Sequence, residues 1–540
     1  MTAWTDHLVI LPILVPLVAG AAMILVGERR RAIMVGLGLA STIAMLVIAL
    51  MLLGMADMTG TGPLVRAYRL GDWPAFFGIV LVLDRLAAVM LVLTGILALA
   101  AQVFALARWH RAGTFFHPLF LFQVMGLNGA FLTGDLFNLF VFFEVMLAAS
   151  YGLALHGSTR VRVQSAMHYI IINLVASLLF LIGVSVIYGV TGTLNMADLA
   201  GRIPVIAADN RGLMEAGVAV LGIAFVIKAA VWPLGFWLPT TYAAASPPAA
   251  AMMSILSKVG IYAILRLWLL LFGDDAGASA GFGGSWLLVG GLLTIVFGSV
   301  VVLAAQGTAR LAGGCVLLSS GTLLAAIAAG DVAVTQGALF YLVSSVLGIG
   351  AFFLLIELVE RGRHAGADVL AVTRQAFGEE EEEALSESEE EAGVAIPAAT
   401  AVLGMSFIAC ALVLAGLPPL SGFIGKLAML VPLFGADGAP SLGAWALLVA
   451  LLVSGLVTTI AMVRAGIDVF WASPAGQTRI GVIEIGPVLV LLVLGIVLTV
   501  RPQPVMEYMK AAATALHQPN DYRGGVLTDR GLPAGQGGAR

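Results

Sequence analysis

Lysine is nearly absent from this chain. Among 540 residues there are four: Lys228, Lys258, Lys426 and Lys510. Charge of either sign is scarce, at 11% of residues, while 60% are hydrophobic. Soluble domains carry about 25% charged and 45–50% apolar residues. A water-soluble globular protein is therefore excluded, and recurring apolar runs of about 20 residues mark a polytopic membrane protein. Cysteine is as sparse. Cys315 and Cys410 both lie in apolar segments, which excludes a disulfide framework and a thiolate metal or iron–sulfur centre; they are expected to be small packing residues. No glycine-rich nucleotide loop, haem-like histidine pair or nucleophile elbow stands out. No cofactor, metal, redox or hydrolytic centre is expected, and no nucleic-acid partner. The N-terminus, MTAWTDHLVILPILVPLVAG, lacks a basic lead and reads as a retained first helix, not a cleaved signal peptide.

What is present is a succession of apolar segments. Helices are expected near 6–26, 32–55, 78–106, 115–133, 135–155, 166–190, 213–238, 245–272, 284–305, 308–329, 333–359, 396–434, 441–466 and 481–501, fourteen in number. The expected fold class is an all-α polytopic membrane protein. Arginine gives the orientation. With the N-terminus outside, the inner loops hold Arg29, Arg30, Arg31, Arg108, Arg111, Arg160, Arg162, Arg310, Arg361, Arg363, Arg374, Arg464 and Arg479. The outer loops hold only Arg66, Arg69, Arg202 and Arg211. Both termini are then extracytoplasmic. Net charge is −4, most of it from the acidic run near 379–391, so it says little about partners. That run lies in QAFGEEEEEALSESEEEA, residues 375–392, expected to be a solvated cytoplasmic loop.

Two helices cannot be straight. Residues 396–434 would stretch to nearly 60 Å, against a hydrocarbon core of about 30 Å. They contain GLPPLSGFIGK, with Pro418 and Pro419, and proline removes a backbone donor and clashes one turn back. Helix seven carries Pro233 in FVIKAAVWPLGFWLP. Broken helices survive at membrane depth only where they line a cavity or pack in protein. Helices four to eight and nine to thirteen form two blocks of five, and the broken, lysine-bearing helix is fourth in each. An odd block length starts the second block from the opposite face, the layout of an inverted repeat. The expected organisation is helices one to three in 1–112, a first repeat in 113–272, and a second repeat in 273–467 with an acidic cytoplasmic loop at 362–394. Helix fourteen follows in 468–503, and a polar tail in 504–540.

Glu144, in LFNLFVFFEVMLAASYG, falls near the middle of helix five. A charge there costs about 2.5–3.5 kcal/mol even on the gentlest scale. Lys258 lies ten residues beyond the Pro247–Pro248 helix start, or about 15 Å into the membrane. Lys426 follows the Pro-Pro break. A midplane row of Glu144, Lys228, Lys258 and Lys426 is the expectation. Lysine suits such a row where arginine does not, because a desolvated lysine releases its proton and a nearby carboxylate restores it. Lys228 is thus read as a switchable proton site paired with Glu144. A fixed structural ion pair is the competing reading.

Further relay candidates are His168, at the start of helix six, Ser319 and Ser320 in helix ten, and Tyr341, Ser344 and Ser345 in helix eleven. Each has an ordinary alternative: a satisfied helix-end histidine, or helix packing by hydroxyls. His117, beside Pro118, reads as structural. Asp84 and Arg85 read as an interfacial charge network, and Asp135 as a helix cap.

The segments FFEVMLAASYGLALHG, GTLNMADL, FVIKAAVWPLGFWLPTTYAAASPPAAAMMSILSKVGIYAILR and LAGLPPLSGFIGKLAML resemble the D-type chain of Mrp-type multisubunit Na⁺/H⁺ (monovalent cation/proton) antiporters. That chain is one of the antiporter-like subunits found also in respiratory complex I and membrane hydrogenases. The resemblance runs from about residue 5 to 500. It implies fourteen helices, two inverted five-helix repeats and broken helices seven and twelve. It implies that Glu144 and Lys228 form the first ion pair, Lys258 the relay and Lys426 the exit-side lysine. It further implies a bacterial cell (inner) membrane and partners: a hetero-oligomeric complex including a large A-type chain, protons, and Na⁺ or another monovalent cation. The activity implied is that of one chain of a secondary transporter and not of an enzyme; the alternative is a proton-pumping chain of an NADH:quinone oxidoreductase or membrane hydrogenase. Many relatives have a histidine or lysine near YLVSSVLGIGAFF in helix eleven; here Tyr341, Ser344 and Ser345 are the polar groups. A link from Lys258 to Lys426 must then use hydroxyls or water.

Overall fold

The computed structural model describes residues 4–57, 65–76, 78–364, 398–435, 440–471 and 480–527. The acidic run 375–392 lies outside these. The described helices are α1 (Leu11–Val26), α2 (Arg31–Asp57), α3 (Arg85–Ala105), α4 (Phe116–Leu132), α5 (Leu136–Ala154), α6 (Arg160–Thr191), α7 (Met196–Arg202), α8 (Ala208–Lys228), α9 (Trp237–Ala244) and α10 (Pro247–Phe272). Then come α11 (Gly284–Ala304), α12 (Thr308–Ile327), α13 (Val332–His364), α14 (Ala398–Ala415), α15 (Ser421–Gly435), α16 (Leu442–Phe470), α17 (Val482–Val500), α18 (Pro502–Leu516) and α19 (Pro519–Leu527). Among the described residues, twelve helices are long and apolar enough to cross a membrane. The shorter apolar helices α1 and α4 bring the crossings to fourteen when α8/α9 and α14/α15 each count as one broken crossing.

Both breaks fall beside the prolines, and each stops its helix earlier than a kink at proline alone would. α8 ends at Lys228 itself, and Ala230 takes a left-handed φ of 55°. α14 ends at Ala415, followed by Gly416 at φ 72°. The two five-crossing blocks, α4–α10 and α11–α16, repeat one set of pairings: first helix on second, third on the broken fourth, and the fifth against the fourth. At the centre lie α10, α12 and α13, almost wholly buried, while α6, α11 and α16 turn much of their surface outward. Outward-facing apolar side chains such as Leu178, Val296 and Val453 fit a lipid surface, where burial against water is not the driving force.

Three features depart from the expected helices. Residues 78–84 are not the start of the third helix. Val80–Leu83 pairs antiparallel with Arg66–Arg69 in a two-stranded ribbon, and helix three begins only after Asp84, whose carboxylate accepts from the Ala87 N–H. Asn195 accepts from the Ala197 and Asp198 N–H groups and starts a short helix, α7, in a stretch expected to be loop. The span expected as a polar tail carries α18 and α19; α18 packs on α13, α3 and α10, and α19 on α7, the hairpin and α10.

Candidate ion-translocation site

Glu144 sits near the middle of α5, half-buried, and its carboxylate accepts from the Ser177 hydroxyl of α6. Its neighbour Phe143 turns its ring to the end of α8, where Lys228 Nζ lies 4.9 Å from the ring centroid. Lys228 is 3% exposed, and its ammonium has no hydrogen-bond acceptor among the described residues. Glu144 and Lys228 therefore form no contact ion pair. The carboxylate is near enough to act on the ammonium electrostatically, and the aromatic face supplies the nearest negative potential.

α10 crosses against this break. A methyl on Gly260 would lie 2.8 Å from the Phe225 carbonyl oxygen and from the Ala229 N–H nitrogen, so only glycine lets α10 approach so closely. Two residues away, Lys258 is fully buried. Its ammonium donates to Ser320 Oγ at 3.0 Å and to the Val316 carbonyl at 3.4 Å. Both acceptors lie on α12, the second helix of the other block. Lys258 therefore bridges the two halves of the protein.

Lys426 repeats the Lys228 arrangement by a different route. It lies on α15, after the break, and reaches back to donate to the Ala415 carbonyl at 2.8 Å, the last residue of α14. Each broken helix thus carries a lysine at its break, although the two lysines stand on opposite sides of their prolines and only the Lys426 ammonium binds the end of the first half. Gly416 makes this possible: a methyl there would lie 2.7–2.8 Å from Lys426 Cδ, Cε and Nζ. Lys426 also lines a cavity with Cys315, Ser319, Thr322, Tyr341, Ser345 and Ser454. Its volume is about 10 Å³, near the smallest that accepts one water.

Of the relay candidates, the hydroxyls gather between Lys258 and Lys426. Ser319 donates to Ser345 at 3.0 Å, and Ser344 and Ser421 share a hydrogen bond of 2.7 Å. Ser320 accepts from Lys258, and Tyr341 faces the Lys426 cavity. His168 stands apart. Its side chain is exposed on α6, with Nδ1 2.9 Å from the Gln164 carbonyl of its own helix.

Two charge networks close the ends of the bundle, and the partners in them are not evident from the sequence. At one end Asp84 pairs with Arg266 at 2.8 Å, both buried. Arg266 also donates to Tyr262 Oη at 2.9 Å and lies over the ring of Tyr522 from α19. At the other end Glu357 on α13 accepts from Arg108, Arg361 and the Trp109 indole, and Arg361 reaches Glu484 on α17 at 2.7 Å. Arg162 stacks on Trp109 and donates to the Ala244 carbonyl at 2.8 Å, so the end of the broken crossing α8/α9 is tied to α13.

The family profile described as NADH:quinone oxidoreductase/Mrp antiporter, TM, matches residues 133–458. The chain is 57% identical over 535 residues to a probable K(+)/H(+) antiporter D subunit of Rhizobium meliloti, covering 98% of this chain and 99% of that protein. It is 32% identical over 533 residues to the Na(+)/H(+) antiporter D subunit of Alkalihalophilus pseudofirmus, covering 97% and 100%. A chain of the Mrp complex from Dietzia sp. DQ12-45-1b superposes with a TM-score of 0.82 at 27% identity, covering 98% of this chain and 100% of that one.

Proposed function

This chain belongs to the NADH:quinone oxidoreductase/Mrp antiporter membrane-protein family, and on that premise we propose that it is the D-type, proton-translocating chain of a multisubunit monovalent cation/proton antiporter. The observation that carries the mechanism is the row of three buried or half-buried lysines, two of them at the open ends of broken helices and the third bridging the two halves. A proton taken up near Glu144 is passed to Lys228, whose ammonium is held by a ring face and not by a fixed acceptor. Movement of charge at the end of α8 is felt by Lys258 across the Gly260 contact. Lys258 and Lys426 then communicate through Ser319, Ser320, Ser345 and Tyr341, with water able to join at the Lys426 cavity.

The protein works within a bacterial inner membrane, both termini outside, beside other antiporter chains that include a large A-type one. The cation is monovalent, and K⁺ is proposed ahead of Na⁺, since the 57% identical relative is named for K(+) and the 32% identical one for Na(+). The test is collapse of a respiratory proton gradient by added K⁺ or Na⁺. It uses everted vesicles energised without NADH, from a host lacking its own antiporters and expressing the complete gene cluster. Wild type should respond and Glu144→Gln should not, with assembly checked by native gel. A wild type that ignores both cations would turn the assignment to a redox-driven proton pump, tested next by electron-transfer-driven proton uptake.

A further inference from the structure

The outer face of α16 holds a cation and an anion that neither the lysine row nor the closing networks use. Arg464 and Asp468 stand one turn apart, both exposed. With Thr459, Ile460, Val463 and Ile467 they line a groove of about 360 Å³, within the size range of small-ligand sites. Asp468 has no partner among the described residues, Arg464 included. Arg464 is held by α11 instead. Its Nη2 donates to the Leu303 carbonyl at 2.9 Å and to the Ala305 carbonyl at 2.7 Å. Both bonds use Nη2, which leaves the Nε and Nη1 N–H groups for an anion.

Depth gives the order of these charges. Trp471, 79% exposed just past the end of α16, marks the level of lipid head groups, where indole rings collect. Asp468 lies next below it, and Arg464 about 6 Å deeper. Towards the membrane centre the same face continues as Ile460, Leu456 and Leu452, each 50–64% exposed. Moving inward from water, the face presents an anion, then a cation, then about 18 Å of branched apolar side chains. A zwitterionic phospholipid carries the complementary order: an ammonium outermost, then a phosphate, then an acyl chain.

We propose that this groove binds a phospholipid of the phosphatidylethanolamine type, with its phosphate on Arg464, its primary ammonium on Asp468 and an acyl chain along α16. Arginine suits the phosphate through its forked donors. The ammonium donates hydrogen bonds to the Asp468 carboxylate. A choline head has no N–H to donate, and an anionic glycerol head offers Asp468 no opposite charge. A partner chain on this face would have to bring a cation and an anion to head-group depth in that same order, whereas one lipid molecule supplies both. Through Arg464 the bound head lies beside the last turn of α11, so the lipid braces the first helix of the second repeat against its last.

The test uses the assembled complex in nanodiscs that contain phosphatidylethanolamine with a diazirine in its acyl chain; mass spectrometry identifies the labelled peptides. Light should attach the probe within residues 452–467. Unlabelled phosphatidylethanolamine should compete for that segment about threefold better than phosphatidylglycerol or phosphatidylcholine, the preference expected of one partly exposed ion pair. Asp468→Asn, which removes no contact within the described chain, should erase the preference. Arg464→Gln should lower the labelling itself. Equal competition by all these lipids in wild type, or an unchanged preference in Asp468→Asn, would overturn the proposal. So would a segment that never labels, because another chain of the complex then covers the face. The readout is bound lipid and not transport, so this proposal and the antiporter assignment stand or fall separately.

Discussion

Lys228, Lys258 and Lys426 are held in three different ways, and the difference sets what each substitution does. Among the described residues Lys258 has two acceptors and Lys426 has one, while Lys228 has the Phe143 ring and no acceptor. A site with no fixed acceptor is free to move its ammonium toward or away from Glu144. Lys228→Arg keeps the charge and the cation–π contact but holds its proton at any pH the cell reaches. Cation-driven proton exchange should fall about tenfold or more, while a native gel still shows full assembly. A Lys228→Arg complex as active as wild type would mean that proton release at this position is not needed. Gly416→Ala tests the second break. The added methyl meets the lysine chain at 2.7–2.8 Å, and the left-handed backbone adds strain of about 1 kcal/mol or more. Transport should fall with Lys426 displaced from the Ala415 carbonyl, and Gly416→Asn, which tolerates the backbone but not the contact, should fall too. Lys510 is exposed on α18, and Lys510→Ala should change nothing.

At the scale of elements, the prolines and lysines were legible because they violate the composition around them. Their contacts were less so. Ser320 stands among the hydroxyls expected to link the lysines, but that it meets Lys258, and that Lys426 reaches the Ala415 carbonyl, depends on packing between helices that no spacing along one chain announces. The hairpin was hidden because VLVL at 80–83 continues the apolar run of α3 without a gap; Asp84, the cap, is the one local sign of a boundary. The last two described helices were hidden because polar residues are mixed with the apolar ones along them; α18 is covered by α13, α3 and α10, and α19 by α7, the hairpin and α10. That packing gives them a role. Tyr522 lies over Arg266, the Val526 carbonyl accepts from Arg69 at 3.1 Å, and Gln336 donates to the Met506 carbonyl at 3.0 Å. α18 and α19 thus hold the end of the Lys258 helix against the hairpin and α13. Half-buried His517, 3.1 Å from Thr335 Oγ1, makes this clasp pH-sensitive. Burial holds its imidazole below the usual histidine range, with Asp331 and Asp274 opposing. A lowered folded pKa means the docked helix disfavours the charged ring, so docking is full above the unfolded value and weakens as pH falls below it. Amide exchange in 502–527 should quicken from about pH 7 to about pH 5, across the histidine range, and His517→Gln should flatten that dependence. A pH-independent wild-type clasp would remove His517 from this role.

For the whole molecule, the two closing networks are of opposite character, and that bears on which side each faces. The Glu357 network gathers Arg108, Arg162 and Arg361 at the end where most loop arginines lie. The Asp84 network lies under the hairpin and α18–α19. Loop arginines favour the cytoplasmic side, so in the proposed orientation the first network is the cytoplasmic end and the C-terminal helices lie outside. Cys315 and Cys410 are both buried, which leaves a nearly silent background for thiol labelling. In intact cells of a host whose outer membrane has been made permeable, a membrane-impermeant maleimide should label Lys510→Cys. Arg310→Cys, exposed at the start of α12, should label only after the inner membrane is opened. The reverse pattern would invert the molecule, move proton entry at Glu144 to the other face, and require that the cation gradient drive the lysine row from the outside.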